Sequence, residues 1–353
     1  MNSDCTGPAG NRWLTALRAR GGLSAAFILS IVLAVLFVLS FAIGRYPVSP
    51  LDVIKVFVSQ ITHLDIALPE MAATVVMEIR LPRIVAAILV GGSLSIAGAS
   101  FQGLFRNPLV SPDILGVAAG AGFGAALGIL LSGDPLVIQG LAFIFSLVAV
   151  GISYAVSRVV RSNPALSLIL AGMAIGSLFG AFLSLVKYVA DPTDQLPTIV
   201  YWLMGSLASV GDEDLLMVAG PMIAGIIVLL LIRWRLNVLA MGEEEALALG
   251  VDTKKVRTIV IVCCTMITAS AVCISGIIGW VGLVIPHMGR MLVGPCHKKL
   301  LPVATLMGAV FLLVIDNLTR TVASVEIPIG ILTAIIGVPF FLYLLMSRKK
   351  GWL

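Results

Sequence analysis

The chain has 353 residues, of which 59% are hydrophobic and 12% are charged. Soluble domains carry about 25% charged residues, so this composition excludes an ordinary soluble protein and predicts a polytopic membrane protein. The formal net charge is +5, but the basic residues fall in the predicted loops. That placement follows the positive-inside rule and argues against a nucleic-acid-binding surface.

Long apolar runs predict ten transmembrane helices in one membrane domain, residues 24–346, between cytoplasmic tails at residues 1–23 and 347–353. The first run resembles a signal peptide, but it is long enough to span and no small-residue cleavage site follows, so we expect a retained helix. Between spans we expect a surface helix near Leu51–Ile61 and a re-entrant or interfacial stretch over Asp191–Gly211. The predicted spans are Ser24–Ile43, Leu81–Phe101, Ile114–Leu131, Leu136–Val160, Leu166–Val189, Leu215–Ile232, Val256–Ile274, Gly279–Leu292, Leu300–Val322 and Ile327–Met346.

The distribution of lysine and arginine predicts the orientation. If both termini are cytoplasmic, the inner side holds Arg12, Arg18, Arg20, Arg106, Arg158, Arg161, Arg233, Arg235, Lys254, Lys255, Arg257, Arg290, Lys298, Lys299, Arg348, Lys349 and Lys350. The outer side then holds only Arg45, Lys55, Arg80, Arg83, Lys187 and Arg320. The opposite orientation would reverse this ratio, so the sequence predicts an N-in, C-in topology.

A polar insert, Met241–Asp252, interrupts the apolar pattern on the cytoplasmic side. Three carboxylates open it, strong helix formers follow, and Gly250 supplies a helix stop. Carboxylates are favoured at a helix start, so we interpret the insert as a short helix at the membrane surface that contacts a partner. The alternative is a solvated loop.

Two predicted spans carry glycine at every fourth position. The pattern is typical of close helix packing, although small residues would also leave room for a wide translocation path. The glycines are Gly116, Gly120, Gly124 and Gly128 in the third span, and Gly172, Gly176 and Gly180 in the fifth.

Several chemical signatures are absent from the sequence. No Asp, Glu or His falls in the middle of a predicted span, where ion-coupled carriers place such residues. There is no Walker A loop, no convincing catalytic set of Ser/His/Asp or Cys/His, and no metal-ligand pattern among the five cysteines and three histidines. The residues therefore favour a transport pore driven by a separate chain over a stand-alone carrier or channel, a membrane-embedded sensor or an intramembrane enzyme.

Six motifs, in order along the chain, carry a resemblance to a known family. From about Pro47 to Met346 the chain resembles the permease subunits of type II ATP-driven (ABC) importers, the FecCD-like family that takes up iron–siderophore complexes, haem and cobalamin. The motifs are RLPR at Arg80–Arg83, Gln102 with RNPLVSPDILG at Arg106–Gly116, GEEEALALGV at Gly242–Val251, SGIIGWVGLVIPHMGR at Ser275–Arg290, DNLTR at Asp316–Arg320, and EIPIGILTAIIGVPFF at Glu326–Phe341.

The resemblance implies an all-α type II importer fold, a homodimer, two copies of a cytoplasmic ATP-binding subunit that holds ATP and Mg, and a periplasmic or lipid-anchored binding protein. This chain itself would bind no cofactor, metal or nucleic acid and would catalyse no reaction. Residues matching the ATPase contact are Gly242, Glu243, Glu244, Glu245, Ala246, Leu249 and Gly250.

Two further sets of residues follow from the resemblance. Arg80, Arg83 and Arg320 match arginines that meet acidic residues of the binding protein. They could instead be anchors at the membrane interface, or partners for Glu78 and Glu326. The candidates for the translocation path are the fifth-span glycines Gly172, Gly176 and Gly180.

The implied mechanism is alternating access in the inner membrane of a prokaryote, driven by closure of the ATPase subunits. The cargo expected is an iron–siderophore complex or a similar chelate such as haem or cobalamin, with a molybdate-type oxyanion as the alternative. Trp280 stands where the family more often has Phe and could mark a subfamily with a different substrate.

Overall fold

The computed structural model of the chain describes residues 12–62, 69, 71–159, 164–323 and 325–346. These residues form helices and connecting turns, with no strand among them. The helices are α1 (Arg12–Ala42), α2 (Pro50–Thr62), α3 (Ala72–Thr74), α4 (Leu81–Leu104), α5 (Val117–Leu131), α6 (Pro135–Val159), α7 (Pro164–Val189), α8 (Gln195–Met204), α9 (Asp212–Met241), α10 (Glu243–Ala248), α11 (Thr253–Ser275), α12 (Val281–Val293), α13 (His297–Thr321) and α14 (Ile329–Met346).

The membrane-crossing helices match the predicted number. Within the described residues, seven helical segments are long and apolar enough to cross a bilayer, and α5, α12 and α14 are shorter apolar helices. The predicted all-α fold with ten spans is therefore confirmed. The surface helix near Leu51–Ile61 appears as α2, and α8 lies inside the predicted re-entrant or interfacial stretch.

Several helices are longer than hydropathy alone predicted. α1 begins at Arg12, inside the segment predicted as a tail, and α9 continues past the basic pair Arg233 and Arg235 to Met241. Good helix formers follow that pair, so the helix continues beyond the apolar region. At the outer end of α4, α3 and a π-helical turn, Val75–Arg80, extend the helical segment. The predicted C-terminal tail, residues 347–353, lies outside the described residues.

α4 is the central helix of the molecule. Every residue from Val90 to Leu104 is buried. α4 packs against α13 so closely that a Cβ at Gly91 would overlap the backbone of Gly308, and one at Gly98 would overlap that of Gly282 in α12. Small residues therefore let three helix backbones meet around α4, as is typical of membrane bundles.

Two crossing helices begin at breaks in the chain. The chain reaches α5 through a 3₁₀ turn, Pro112–Leu115, and through Gly116, whose φ of 86° favours glycine. It reaches α12 through Trp280, which has a φ of 71°. A positive φ at a bulky side chain is an uncommon conformation that the surrounding structure has to impose.

Candidate coupling and docking sites

The cytoplasmic insert folds as predicted into a short helix, α10. Gly242 ends α9 with a φ of 155°, and the Ala246 N–H donates to the Gly242 carbonyl at 3.1 Å. At the other end, Gly250 has a φ of 75° and its N–H donates to the Leu247 carbonyl at 2.9 Å. A glycine in this conformation is the common way to end a helix.

One face of α10 anchors the insert to the protein. Ala246 is fully buried. Glu243 accepts a hydrogen bond from the Thr253 hydroxyl at 3.2 Å and forms an ion pair with Arg257 at 3.3 Å. Asp252 caps α11 by accepting from the Lys255 backbone N–H at 3.0 Å, which lowers the pKa of the Asp252 carboxyl. The insert is thus held in a defined position beside α11.

The other face of the insert is exposed and mixed in character. Glu244 and Glu245 are exposed, and neither has an ion-pair partner among the described residues. Beside them, the apolar side chains of Met241, Leu247 and Leu249 are exposed to 64%, 58% and 62%. Apolar side chains rimmed by unpaired carboxylates are typical of a protein contact surface.

The predicted docking arginines lie in a cluster at the outer end of α4 and α13. Arg83 Nε donates to Asp316 Oδ1 at 2.8 Å, and Arg83 Nη1 lies 3.0 Å from the Glu326 carboxylate. The second oxygen of Asp316 lies 3.2 Å from Arg320 Nε. A single buried carboxylate therefore neutralises arginines from two helices and joins their outer ends.

Arg80 is bound by backbone carbonyls instead of a carboxylate. It is the last residue of the π-helical turn, and its guanidinium donates to the carbonyl oxygens of Phe41 and Tyr46. Glu78, named above as an alternative partner, is exposed and forms no ion pair with a described residue. Arg80 therefore fixes the end of α1 and the segment that follows it.

These contacts leave little of the three arginines at the surface. Arg80, Arg83 and Arg320 are exposed to only 4%, 4% and 6%. Arg45 is exposed nearby; its Nη2 donates to the Ala323 carbonyl at 3.4 Å, and no described carboxylate pairs with it. Sequence reasoning counted Arg45 only as an outer basic residue. An arginine outside the family motifs offered no signal that could single it out.

The two glycine stripes serve mostly as packing surfaces. In α5, a Cβ at Gly120 or Gly124 would overlap the backbone of α6. In α7, a Cβ at Gly172 would overlap the Ile114 carbonyl, whereas Gly180 has open space around it. The glycines of α5 and those in the cytoplasmic half of the α7 stripe therefore allow close helix packing.

The profile of the FecCD transport family matches residues 32–347. The chain belongs to the FecCD transport family. The permease is 41% identical over 325 residues to the molybdate import system permease protein MolB of Haemophilus influenzae, a match that covers 92% of this chain and 96% of the relative. It is 40% identical over 282 residues to the hemin transport system permease protein HmuU of Yersinia pestis, covering 78% and 84%.

The fold has a solved counterpart. A metal-chelate type ABC transporter, determined in an inward-facing conformation, matches this permease with a TM-score of 0.82 at 40% identity, and the match covers 92% of this chain and 99% of that chain. Fold, family and the apolar helices together identify a multi-pass inner-membrane protein, the permease subunit of an ABC importer. It is a transport subunit and not an enzyme.

The sequence anticipates only one of the pairings that organise the permease. Glu326 is one of the alternative partners expected for the arginines and pairs with Arg83, whereas Asp316, which also pairs with Arg83, appears in the sequence only as part of a motif. On the cytoplasmic side, Arg290 Nη1 donates to Gln102 Oε1 at 2.6 Å. Both residues lie in motifs that the sequence shows, but spacing along the chain carries no information about which residues of the two motifs meet.

Proposed function

We propose that this permease imports an iron–siderophore complex or a related metal chelate, such as haem or cobalamin. Relatives named as cobalamin, hemin and iron chelatin permeases support this class of cargo. A molybdate-type oxyanion is the second candidate, because the molybdate permease MolB matches over 92% of the chain. In both cases a binding protein delivers the cargo from outside, and the permease moves it to the cytoplasm by alternating access.

The observation that carries the proposal is the exposed face of the cytoplasmic insert. The permease has no Walker A loop, so its energy must come from another chain. The exposed apolar residues Leu247 and Leu249, beside the unpaired Glu244 and Glu245, fit a groove on a cytoplasmic ATP-binding subunit. ATP and Mg belong to that subunit, and this chain binds no cofactor.

The functional assembly that we propose has two permeases and two ATP-binding subunits. A cargo path along the two-fold axis would then run beside α7, where Gly180 has open space around it. Closure of the ATP-binding subunits would move both inserts and rock the permease halves against each other, because the insert is held beside α11 by Glu243. The cargo needs no strong binding site on such a path.

Docking of the binding protein is proposed at the outer end of α4 and α13. Arg80, Arg83 and Arg320 give this end an excess of positive charge over Asp316 and Glu326, which favours an acidic partner. Because these arginines are buried, they would act mainly by holding the surface in place. The exposed Arg45 would make the direct contact with the binding protein.

Native mass spectrometry of the permease, purified from its own membrane in mild detergent, tests the assembly. We expect a complex of two permeases with two ATP-binding subunits. Any binding protein that co-purifies can be unfolded to release its ligand for identification. A permease that appears alone, or only with itself, would contradict the ATP-driven assembly. A molybdate-type oxyanion as the ligand, in place of a metal chelate, would support the second cargo and contradict the first.

Charge reversal of the insert tests the coupling surface. Glu244→Lys with Glu245→Lys should weaken the complex with the ATP-binding subunit by tenfold or more, equivalent to a loss of about 1.4 kcal/mol. The matched control is Asp212→Lys with Glu213→Lys, which makes the same charge change at the opposite end of α9, where both side chains are also exposed. Equal binding by the double variant and the control would rule out this surface as the coupling contact.

A further inference from the structure

A side chain of α9 caps the start of α13 at the cytoplasmic end of the bundle. The backbone N–H of His297, the first residue of α13, donates to Asn237 Oδ1 at 2.6 Å. The first N–H groups of a helix have no partner within it, and the residue just before the helix usually supplies one. Here that residue is Cys296, whose side chain makes no such bond. The cap comes instead from a helix 60 residues earlier in the chain.

The same oxygen also holds the imidazole ring of His297. Asn237 Oδ1 lies 3.1 Å from His297 Nδ1, and an amide oxygen can only accept, so the ring nitrogen donates to it. The other edge of the ring lies against α4. A Cβ at Gly103 would be 2.2 Å from His297 Nε2, so the ring lies this close only because residue 103 is glycine. His297 is only 6% exposed and thus contacts both α9 and α4.

The ring of His297 reaches α4 beside a second set of bonds. Gln102 precedes Gly103, and its amide nitrogen donates to the Val110 carbonyl at 3.0 Å, in the segment that follows α4. The Gln102 oxygen accepts from Arg290 of α12 at 2.6 Å. The cytoplasmic end of α4 therefore positions both the segment before α5 and the end of α12.

Asn237 lies close to the coupling insert. It is four residues, or about 6 Å, before the end of α9 at Met241, and Gly242 and α10 follow directly. A displacement of the insert therefore acts on the last turn of α9, which carries Asn237.

The apolar contacts around Asn237 do not fix a direction of movement. Leu236 and Leu239 lie in one apolar cluster with Ala246 of the insert and Leu300 of α13. Apolar contacts are non-directional, so such surfaces can slide. Hydrogen bonds depend on angle as well as distance, so two bonds from one oxygen to a single residue fix its position.

We propose that Asn237 is a positioning residue that couples the insert to the central helix α4 through His297. The inference rests on the proposed function, in which the ATP-binding subunits move the insert. When the last turn of α9 moves with the insert, the two bonds to Asn237 move the start of α13 and the His297 ring with it. The ring then displaces the end of α4, where Gln102 holds the segment before α5 and the end of α12.

Spin-label distances in the complex with the ATP-binding subunits test this linkage. In a background without native cysteines, one variant carries the label at Lys254→Cys, beside the insert, and another at Lys298→Cys, in the first turn of α13. Both side chains are exposed. Each label reports the distance between the two permeases, without nucleotide and with ADP and vanadate.

We expect both distances to change between the two states when Asn237 is present. Asn237→Leu removes the oxygen at nearly constant size. In this variant the change at residue 254 should persist, whereas the change at residue 298 should be lost. Asn237→Ala is the second variant, in case leucine does not fit, because alanine also lacks the oxygen and favours the helix.

Two further variants separate the linkage from a loss of structure. Asn237→Asp keeps the oxygen that both donors reach, and aspartate caps helices as well as asparagine does, so the change at residue 298 should return. Gln139→Leu removes a bond of the same kind at the outer end of α9, where Gln139 Nε2 donates to Asp214 Oδ1 at 2.7 Å. This control should retain both changes.

The possible results distinguish the linkage from the proposed function. A change at residue 298 that persists in Asn237→Leu and Asn237→Ala would overturn the linkage. An equal loss in Gln139→Leu would also overturn it, because any interhelical bond of α9 would then have the same effect. If neither distance changes while Asn237 is present, the proposed ATP-driven movement itself is contradicted, and the linkage with it.

Discussion

Gly242 separates the last membrane helix before the insert from the insert itself. Its φ of 155° and ψ of 161° lie in a region that glycine alone occupies readily. A Cβ there would also overlap the carboxylate of Glu245. The residue therefore sets the direction in which α10 leaves α9, and with it the position of the exposed Leu247 and Leu249.

Gly242→Ala should displace the insert and destabilise it by about 1–3 kcal/mol. We expect less ATP-binding subunit to co-purify, while the melting temperature of the membrane domain falls little. Gly220→Ala in α9 is the control, since a methyl group there meets open space and alanine favours the helix. If both variants retain the same amount of ATP-binding subunit, Gly242 does not direct the insert.

At the scale of elements, the outer ends of α4 and α13 are joined by charge as well as by packing. Asp316 is fully buried between Arg83 and Arg320, 2.8 Å and 3.2 Å away. Removing one partner of a buried pair is costly, because the remaining charge loses its compensation without returning to water. A substitution in this cluster should therefore destabilise the permease, and this loss of stability would mask any separate effect on docking.

Arg83→Ala should destabilise the permease by about 3–5 kcal/mol and lower its level in the membrane, because Asp316 and Glu326 lose their shared partner. Arg45→Glu should change stability by no more than about 0.5 kcal/mol, because this side chain is exposed. Thermal unfolding and a pull-down with the binding protein separate the effects. Weak docking in stable Arg45→Glu supports Arg45 as the contact, whereas normal docking would exclude it.

At the scale of the whole molecule, the charges of the loops set the topology. Most lysines and arginines lie on the side of the insert, and membrane proteins keep such loops in the cytoplasm. α10 and the ion-pair cluster then lie on opposite faces of the membrane. The ATP-binding subunit and the binding protein can therefore act on the permease at the same time.

Cysteine labelling checks this topology. In a background without native cysteines, Leu249→Cys in the insert should react with an impermeant maleimide only in inverted vesicles. Tyr188→Cys near the end of α7, where the side chain is 86% exposed, should react only from the outside. Labelling of Leu249→Cys in intact cells would reverse the orientation and remove the proposed coupling surface from the cytoplasm.

The spans, the surface helix α2 and the helical insert could all be predicted, because each follows from a local pattern of hydropathy, helix propensity or charge. The ends of α1 and α9 could not, because a helix continues past the apolar core wherever its residues favour it. The candidate coupling residues came from one continuous segment and a family resemblance, so sequence was sufficient to nominate them. Their role stays a prediction.

The sequence by itself determined the fold class, the membrane topology and the position of the polar insert, because partition between lipid and water depends on local composition. Only the tertiary structure decided which groups meet. Arg83 and Asp316 are 233 residues apart in the chain, and their pairing buries arginines that the motif suggested as surface contacts. Likewise, only the tertiary structure brings α12 so close to α4 that Gly98 and Gly282 meet, because contacts between distant segments depend on packing that no local pattern encodes.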